Sequence, residues 1–283
     1  RLGVPLMELE SVDTSYQEFN VPKRSGGTRR IAAPNPKLKA LQRRINRRLL
    51  GRLGVHPCAT GFRGGCSIVT NAVGHAGRAV VLKMDIEDFF GSTAAKRVEK
   101  YFRAIGWAKD AARGLTRLTT HDGALPQGAP TSPTLSNLLN YQLDARLVGV
   151  AGAVMTSDRQ PASVPPGGVG IFYTRYADDL TFSFDADEHD AVEAVIWLTK
   201  RIVADYGYRL HQKRKLTIRR RHQSQRVTGL VVNHRPALPR KTRRWLRAVR
   251  HHVATGREAS LTAQQLAGWD ALEHMIQAQS GTQ

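Results

Sequence analysis

Residues 174–184 read TRYADDLTFSF, and this stretch together with the residues just before it decides the fold. Ile171 to Tyr176 and Leu180 to Phe184 are strand-like: Leu180, Phe182 and Phe184 alternate with Thr181 and Ser183, and Ala177-Asp178-Asp179 falls between the two runs. The pattern predicts a β-hairpin with carboxylates at a tight tip. Adjacent carboxylates repel, so the tip is either a solvated turn or a place where a cation compensates the charge. Hard divalent ions do this with oxygen ligands, and Mg²⁺ typically needs one or two protein carboxylates plus substrate phosphates.

Working outward, Ala79 to Asp85 (AVVLKMD) is a short apolar run ending on a carboxylate, which predicts a buried strand; Glu87 and Asp88 follow directly. Ser92 to Ile105 then has helical spacing at Ala94, Val98, Phe102 and Ile105. Pro34-Asn35-Pro36 marks a stop, after which Leu38, Leu41, Ile45, Leu49 and Leu53 recur at helical spacing among arginines, predicting a basic amphipathic helix. Ser132-Pro133 opens a further helical segment through Leu143, and residues 151–169, small and rich in Pro and Gly, are expected to form a mobile loop. Val192 to Val203 reads as a helix, Leu216–Ile218 and Val227–Val232 as strands, and the tail from Lys241 as helices. The order predicts a mixed α+β fold, not a regular βαβ alternation.

Composition narrows the function. In 283 residues, 43 Lys+Arg against 23 Asp+Glu leave a formal charge of +20, which excludes a disordered acidic tail, while 41% apolar residues suffice for one large domain or two packed lobes. Asn20 to His56 contains eleven basic residues and no acid, and Arg209 to Arg250 fifteen and none, so positive potential concentrates on particular surfaces. Arg outnumbers Lys by 32 to 11, which favours bidentate phosphate recognition. A nucleic acid is the expected partner, with a membrane surface the weaker competitor. No run approaches the ~18 apolar residues of a membrane span, and no signal peptide is visible, so a cytoplasmic protein without membrane attachment is expected. Cys58 and Cys66 lack a second metal-spaced pair, so neither a disulfide framework nor a zinc cluster is expected. The chain begins with Arg, and the expectation is that an N-terminal piece has been processed away or lies outside this sequence. Two acidic strand ends in a basic surround are the parts that two-metal phosphoryl transfer requires.

These segments resemble reverse transcriptases, and within them the bacterial retron type. VPKRSGGTRRIAAP (21–34) and LKALQRRI (38–45) are similar to the fingers motifs, and KMDIEDFF (83–90) to the first catalytic palm motif. LPQGAPTSPTLSNLL (125–139) is similar to the template and nucleotide motif, and TRYADDLTFSF to the second catalytic motif. The resemblance runs in the family's order from about Tyr16 to about Asn233. Asn71-Ala72-Val73-Gly74-His75 matches the NAxxH element of retron enzymes, and Val227-Thr228-Gly229 their VTG element.

The resemblance implies a right-hand polymerase: fingers over 1–78 and part of 91–120, a palm with an antiparallel sheet over 79–235, and a small helical thumb over 236–283. It implies Asp85 and Asp178 as shared ligands of two Mg²⁺ ions, for which Mn²⁺ can substitute, with Asp179 as the second hairpin carboxylate and Ile86 lending its backbone carbonyl. Phe90 would close the sugar pocket against a ribose 2′-hydroxyl; the alternative is an ordinary core aromatic beside Phe89. The backbone amides of Asp88 and Phe89 would meet the triphosphate. Arg29, with Lys23 or Arg24 nearby, would hold the incoming phosphates, the alternative being a solvated basic loop. Gln127 would lie against nucleotide and template, and Gly128 would permit close backbone approach. A palm lysine falls in KRKLT: Lys215 counting back from VTG, Arg214 counting forward from Gly207. The regions of Asn71 and His75 and of Val227, Thr228 and Gly229 would help hold RNA, with His75 itself assigned no chemistry. Trp245 either stacks on a base or packs in the core.

The implied activity is RNA-directed DNA polymerisation with dNTPs on a cognate structured noncoding RNA. That RNA serves as template and supplies a branching guanosine 2′-hydroxyl as primer, giving multicopy single-stranded DNA (msDNA) joined to RNA. The family further implies phage defence with an accessory effector protein. There is room after Asn233 for a short thumb but not for a ribonuclease H domain, so a host ribonuclease H is expected. The competing readings are a diversity-generating, CRISPR-associated or group II intron-type enzyme, or a noncatalytic RNA-binding scaffold.

Overall fold

The computed structural model describes residues 3–23, 26–154, 170–211 and 216–281. Along the chain run α1 (Leu6–Ser11), β1 (Tyr16–Pro22), β2 (Thr28–Pro34), α2 (Pro36–Arg48), α3 (Ile68–Val73), β3 (Val80–Asp85), α4 (Ala95–Ala104), α5 (Lys109–Thr119) and α6 (Ser132–Leu139). Then follow α7 (Tyr141–Ala153), β4 (Ile171–Tyr176), β5 (Asp179–Phe184), α8 (His189–Asp205), β6 (Thr217–Arg220), β7 (Arg226–Val227), β8 (Leu230–Val231), α9 (Arg240–Ala254) and α10 (Ala263–Ser280). The fold is mixed α+β, as expected.

At its centre is a four-stranded antiparallel sheet in the order β4-β5-β3-β6. Strand pleating sends alternate residues to opposite faces. Val80, Leu82 and Met84 of β3, with Leu180, Phe182 and Phe184 of β5, join Leu143 and Leu147 of α7 and Val192 and Val195 of α8 in the largest core. Val81, between them in sequence, belongs instead to a core with Val69, Val227, Leu230, Leu246 and Ile276, which ties the sheet to α3, the β7–β8 hairpin, α9 and α10. A helical core holds α2, α4, α5 and α6 together through Leu38, Ile45, Val98, Phe102, Leu118 and Leu135. Full burial of each such side chain contributes about 1.5–3 kcal/mol.

Several elements depart from expectation for identifiable reasons. The predicted alternation of β5 is absent as burial, because Thr181 and Ser183 are as buried as their apolar neighbours. The strand expected over 227–232 is a tight hairpin, turned at Thr228 and Gly229, both with positive φ (46° and 86°). The helix expected through Leu143 breaks at Asn140, whose side-chain amide donates back to the Ser136 carbonyl at 2.8 Å. The β1–β2 hairpin escaped sequence reading because almost all of β1 is exposed and carries no apolar alternation. Residues 155–169 of the expected mobile loop, and Arg24, Arg214 and Lys215, lie outside the described residues. Both cysteines are free, and no helix among the described residues is long and apolar enough to cross a membrane.

Candidate active site

The sheet brings the acids together. Asp85, the last residue of β3, is the register partner of Asp179, the first of β5, and the Ile86 amide donates to the Asp178 carbonyl at 3.0 Å. Asp85 is buried, while Asp178 and Asp179 are half-buried. Two basic side chains stand beside these acids: Lys83 Nζ is 3.3 Å from an Asp179 carboxylate oxygen, and His211 Nε2 is 3.4 Å from Asp85 Oδ1. The His211 amide also donates to the Asp85 carbonyl at 2.9 Å, fixing the segment after α8 beside the strand end. The Ile86 carbonyl accepts no hydrogen bond among the described residues. Asp85, Asp178, Asp179 and the Ile86 carbonyl, neighbours through the backbone pairing, offer oxygen donors alone, the donor type a hard divalent cation takes.

Tyr176 pairs with Asp179, so the turn has two central residues, Ala177 and Asp178. Ala177 has φ 58°, a left-handed conformation in a residue with a Cβ, and the type II′ pattern of a first central residue at positive φ. Such a residue costs on the order of 1–3 kcal/mol and persists only where its surroundings over-determine it. Here they do. Arg175, fully buried, donates from Nη1 to the Ala177 carbonyl (3.1 Å) and to Asn137 Oδ1 (3.0 Å). Its Nε and Nη2 grip the two oxygens of the equally buried Asp144 at 2.8 and 2.7 Å. Burial works against the Arg175 charge, and the Asp144 carboxylate more than offsets this, holding the guanidinium's pKa above its ordinary value. Asn137 in turn donates to the Gly61 carbonyl at 2.7 Å. Gly61 packs so closely on the turn that a Cβ there would sit 2.6 Å from the Ala177 nitrogen. Arg175, Asp144, Asn137 and Gly61 were missed in the sequence. One signal was available: Arg175 shares a strand face with Tyr173, which period-two reading points into the core.

The second acidic motif folds into turns after Ile86. Asp88 is exposed with φ 42°, and its carboxylate lies over Gly91, where a Cβ would meet it at 2.2 Å and turn it aside. The amides of Asp88 and Phe89 find no acceptor among the described residues, which leaves them available to an anion. The Phe89 side chain is buried against Tyr208, with ring centroids 5.6 Å apart, whereas Phe90 is half-buried and lies 6.3 Å from the exposed ring of Phe62.

Other predicted residues sit farther out along the chain. Arg29 and Lys23 stand exposed near the tip of the β1–β2 hairpin, with no carboxylate partner among the described residues. Gln127 is half-buried and its carbonyl accepts from the Ala32 amide at 2.9 Å; a Cβ on Gly128 would lie 2.7 Å from the Ala32 carbonyl. The close approach foreseen at Gly128 is therefore to β2. Trp245 is 37% exposed and meets Trp269 edge-on at 5.7 Å, between the two roles considered.

The NAxxH and VTG elements meet in space. Thr228 Oγ1 donates to the Ile68 carbonyl at 2.8 Å, and the Gly77 amide to the Val232 carbonyl at 2.9 Å. His75 is fully buried, its Nδ1 2.8 Å from Ser183 Oγ and its Nε2 2.8 Å from Thr174 Oγ1. Burial, with Arg78 and Lys83 adding repulsion, pushes its pKa down to about 3. Asn71 is buried too and accepts from Thr60 Oγ1 at 2.6 Å. In the segments expected to help hold RNA, the side chains of Asn71, His75 and Val227 are buried, Thr228 is half-buried and Gly229 is exposed.

Among the described residues, the one trio of metal-ligand side chains with donor atoms all within 4.8 Å of one another is Glu18, His121 and Asp122; the carboxylates of Asp85, Asp178 and Asp179 stand farther apart than that. Arg30 already pairs with Glu18 and Asp122 at 2.5 and 3.0 Å, so that cluster is an ion-pair network.

The family model described as reverse transcriptase (RNA-dependent DNA polymerase) matches residues 21–232. The chain is 39% identical over 279 residues to the retron Mx65 reverse transcriptase of Myxococcus xanthus, covering 92% of this chain and 61% of that protein. It is 35% identical to the retron Mx162 reverse transcriptase of the same organism (95% and 59% covered) and 33% identical to the retron Ec86 reverse transcriptase of Escherichia coli (95% and 79% covered). The chain thus spans about three fifths of the length of the two Myxococcus relatives. On this evidence of sequence, added to the acidic strand ends and the clamped turn, the chain belongs to the reverse transcriptase (RNA-dependent DNA polymerase) family, among the retron reverse transcriptases.

Proposed function

We propose that this chain is an RNA-directed DNA polymerase of a retron, adding deoxynucleotides to a primer 3′ end on a structured noncoding RNA and yielding RNA-linked single-stranded DNA. The observation that carries the reading is the register pairing of Asp85 with Asp179, locked by the Ile86–Asp178 hydrogen bond. Asp85, Asp178 and Asp179, with the Ile86 carbonyl, would hold two divalent ions, Mg²⁺ by donor chemistry. When bound, the ions would lower the pKa of the attacking hydroxyl and stabilise charge on the leaving pyrophosphate.

The chain's own residues align and select. The amides of Asp88 and Phe89 face the triphosphate, and Phe90 walls off the sugar so that a 2′-hydroxyl is excluded. Arg29 and Lys23 on the β1–β2 hairpin steady the incoming phosphates, and Gln127, tied to β2 through its carbonyl, lies against the nucleotide. Lys83 and His211 touch Asp179 and Asp85 and orient their carboxylates. In this reading residues 1–78 with part of 91–120 are the fingers, 79–235 the palm and 236–283 the thumb. Alignment and electrostatic stabilisation supply the rate. We further propose cytoplasmic action in phage defence with an accessory effector, and template removal by host ribonuclease H.

The test uses protein purified with its RNA, Mg²⁺ and labelled dNTPs, comparing wild type with Asp178→Asn. Losing a ligand worth several kcal/mol should lower incorporation on the order of a thousandfold at unchanged Tm. Equal incorporation by both proteins would refute the site.

A further inference from the structure

Phe62 is the largest apolar side chain beside the acidic turn that the proposed mechanism does not use. It is 50% exposed, and its φ of 61° places a bulky aromatic residue in a region where it is a genuine outlier. The strap that carries it cannot relax. The Thr60 amide donates to the Arg175 carbonyl at 2.9 Å, Asn137 holds the Gly61 carbonyl at 2.7 Å, and Arg63 closes the loop onto the Pro57 carbonyl at 3.1 Å. With Gly61 pressed against Ala177, the following residue is held beside the acidic turn. Its ring centroid lies 6.3 Å from that of Phe90 and 6.3 Å from that of Tyr176. Phe62, Phe90 and Tyr176 thus form an aromatic group beside the residues of the acidic turn, in a chain of formal charge +20.

Phosphates gain nothing from such a surface, and a folding core would bury it. A nucleobase does gain, because every base has a π-face and an apolar edge, and base–aromatic contact is tolerant of sequence. We infer that Phe62 is a base-contacting residue, its ring packing against the nascent base pair formed by the incoming nucleotide and its template partner. This inference rests on the polymerase reading above. It explains why a strained backbone is held open in front of the catalytic turn: the strain places a ring where substrate, not protein, completes its burial.

The experiment compares the full chain with Phe62→Ala, Phe62→Gly and Phe62→Tyr, measuring KM for dNTP and kcat of single-nucleotide addition on the copurified RNA, together with Tm. The Ala and Gly variants should raise KM about tenfold or more, and Phe62→Tyr should recover most of that loss. Phe62→Gly should keep or raise Tm, because glycine adopts this φ without strain; a purely structural role would lower it. The inference is overturned if Ala and Gly retain the wild-type KM, or if their KM defects follow a fall in Tm. Wild-type incorporation that Asp178→Asn abolishes and Phe62→Ala leaves untouched removes Phe62 alone. A wild type without Mg²⁺-dependent incorporation takes both readings down.

Discussion

Two hairpin turns in this molecule solve the same backbone problem differently. Ala177-Asp178 joins β4 to β5 and Thr228-Gly229 joins β7 to β8, and each carries a non-glycine residue at positive φ (58° and 46°). At the second turn glycine follows, and one hydrogen bond, Thr228 Oγ1 to the Ile68 carbonyl, anchors it to α3. At the first turn there is no glycine, and a buried guanidinium, a buried carboxylate and a buried amide converge beneath it. The weaker anchor suffices where a turn only joins two strands. The heavier one belongs where carboxylates must be presented at fixed spacing despite their repulsion.

The largest expected break in that contrast comes from Arg175→Met, which leaves the Asp144 carboxylate buried and unpaired and should cost about 3–5 kcal/mol in urea unfolding. Adding Asp144→Leu should recover most of the stability but not polymerisation, since the Ala177 carbonyl still lacks its donor. A double variant that polymerises like wild type would show that the clamp does not position the turn.

The next effect lies at the join between the two turns, where His75 bridges β4 and β5. Its folded pKa, about 3, is below the ordinary 6.5, so folding favours the neutral ring. The contribution is complete above pH 6.5 and shrinks as pH falls toward about 3, by ~1.4 kcal/mol per unit. Between pH 7 and pH 5 wild type should lose about 2 kcal/mol more stability than His75→Gln; parallel unfolding curves for the two proteins would contradict this. The smallest effect is expected at the lighter turn. Thr228→Ala should lower stability by about 1 kcal/mol, as urea denaturation beside wild type would show; an unchanged midpoint would mean the Ile68 contact does not anchor this turn.

What could be read in advance followed from local pattern. β3, the β4–β5 hairpin, α2, α4 and α8 announce themselves by periodicity, and the acids stand out because they are scarce in a cationic chain. The clamp is invisible locally because Arg175, Asp144, Asn137 and Gly61 are brought together only by tertiary packing, and an arginine beside two aspartates reads first as a surface cation. His75 and Asn71 were located by motif, but their burial depended on α3 packing against the sheet, which no single segment encodes. Phe62 gave no signal, since one aromatic in a Gly-rich stretch has no period.

The strap before Phe62 has one more effect. The Arg175 amide donates to the Cys58 carbonyl at 2.9 Å, and its carbonyl accepts from Thr60, so residues 58–60 run beside β4 as a parallel bridge on the outer border of the sheet. An uncovered border strand invites pairing with other chains. Changes that detach this segment are therefore expected to cause self-association as well as misplacing Phe62, and light scattering would register that before any assay of nucleotide incorporation.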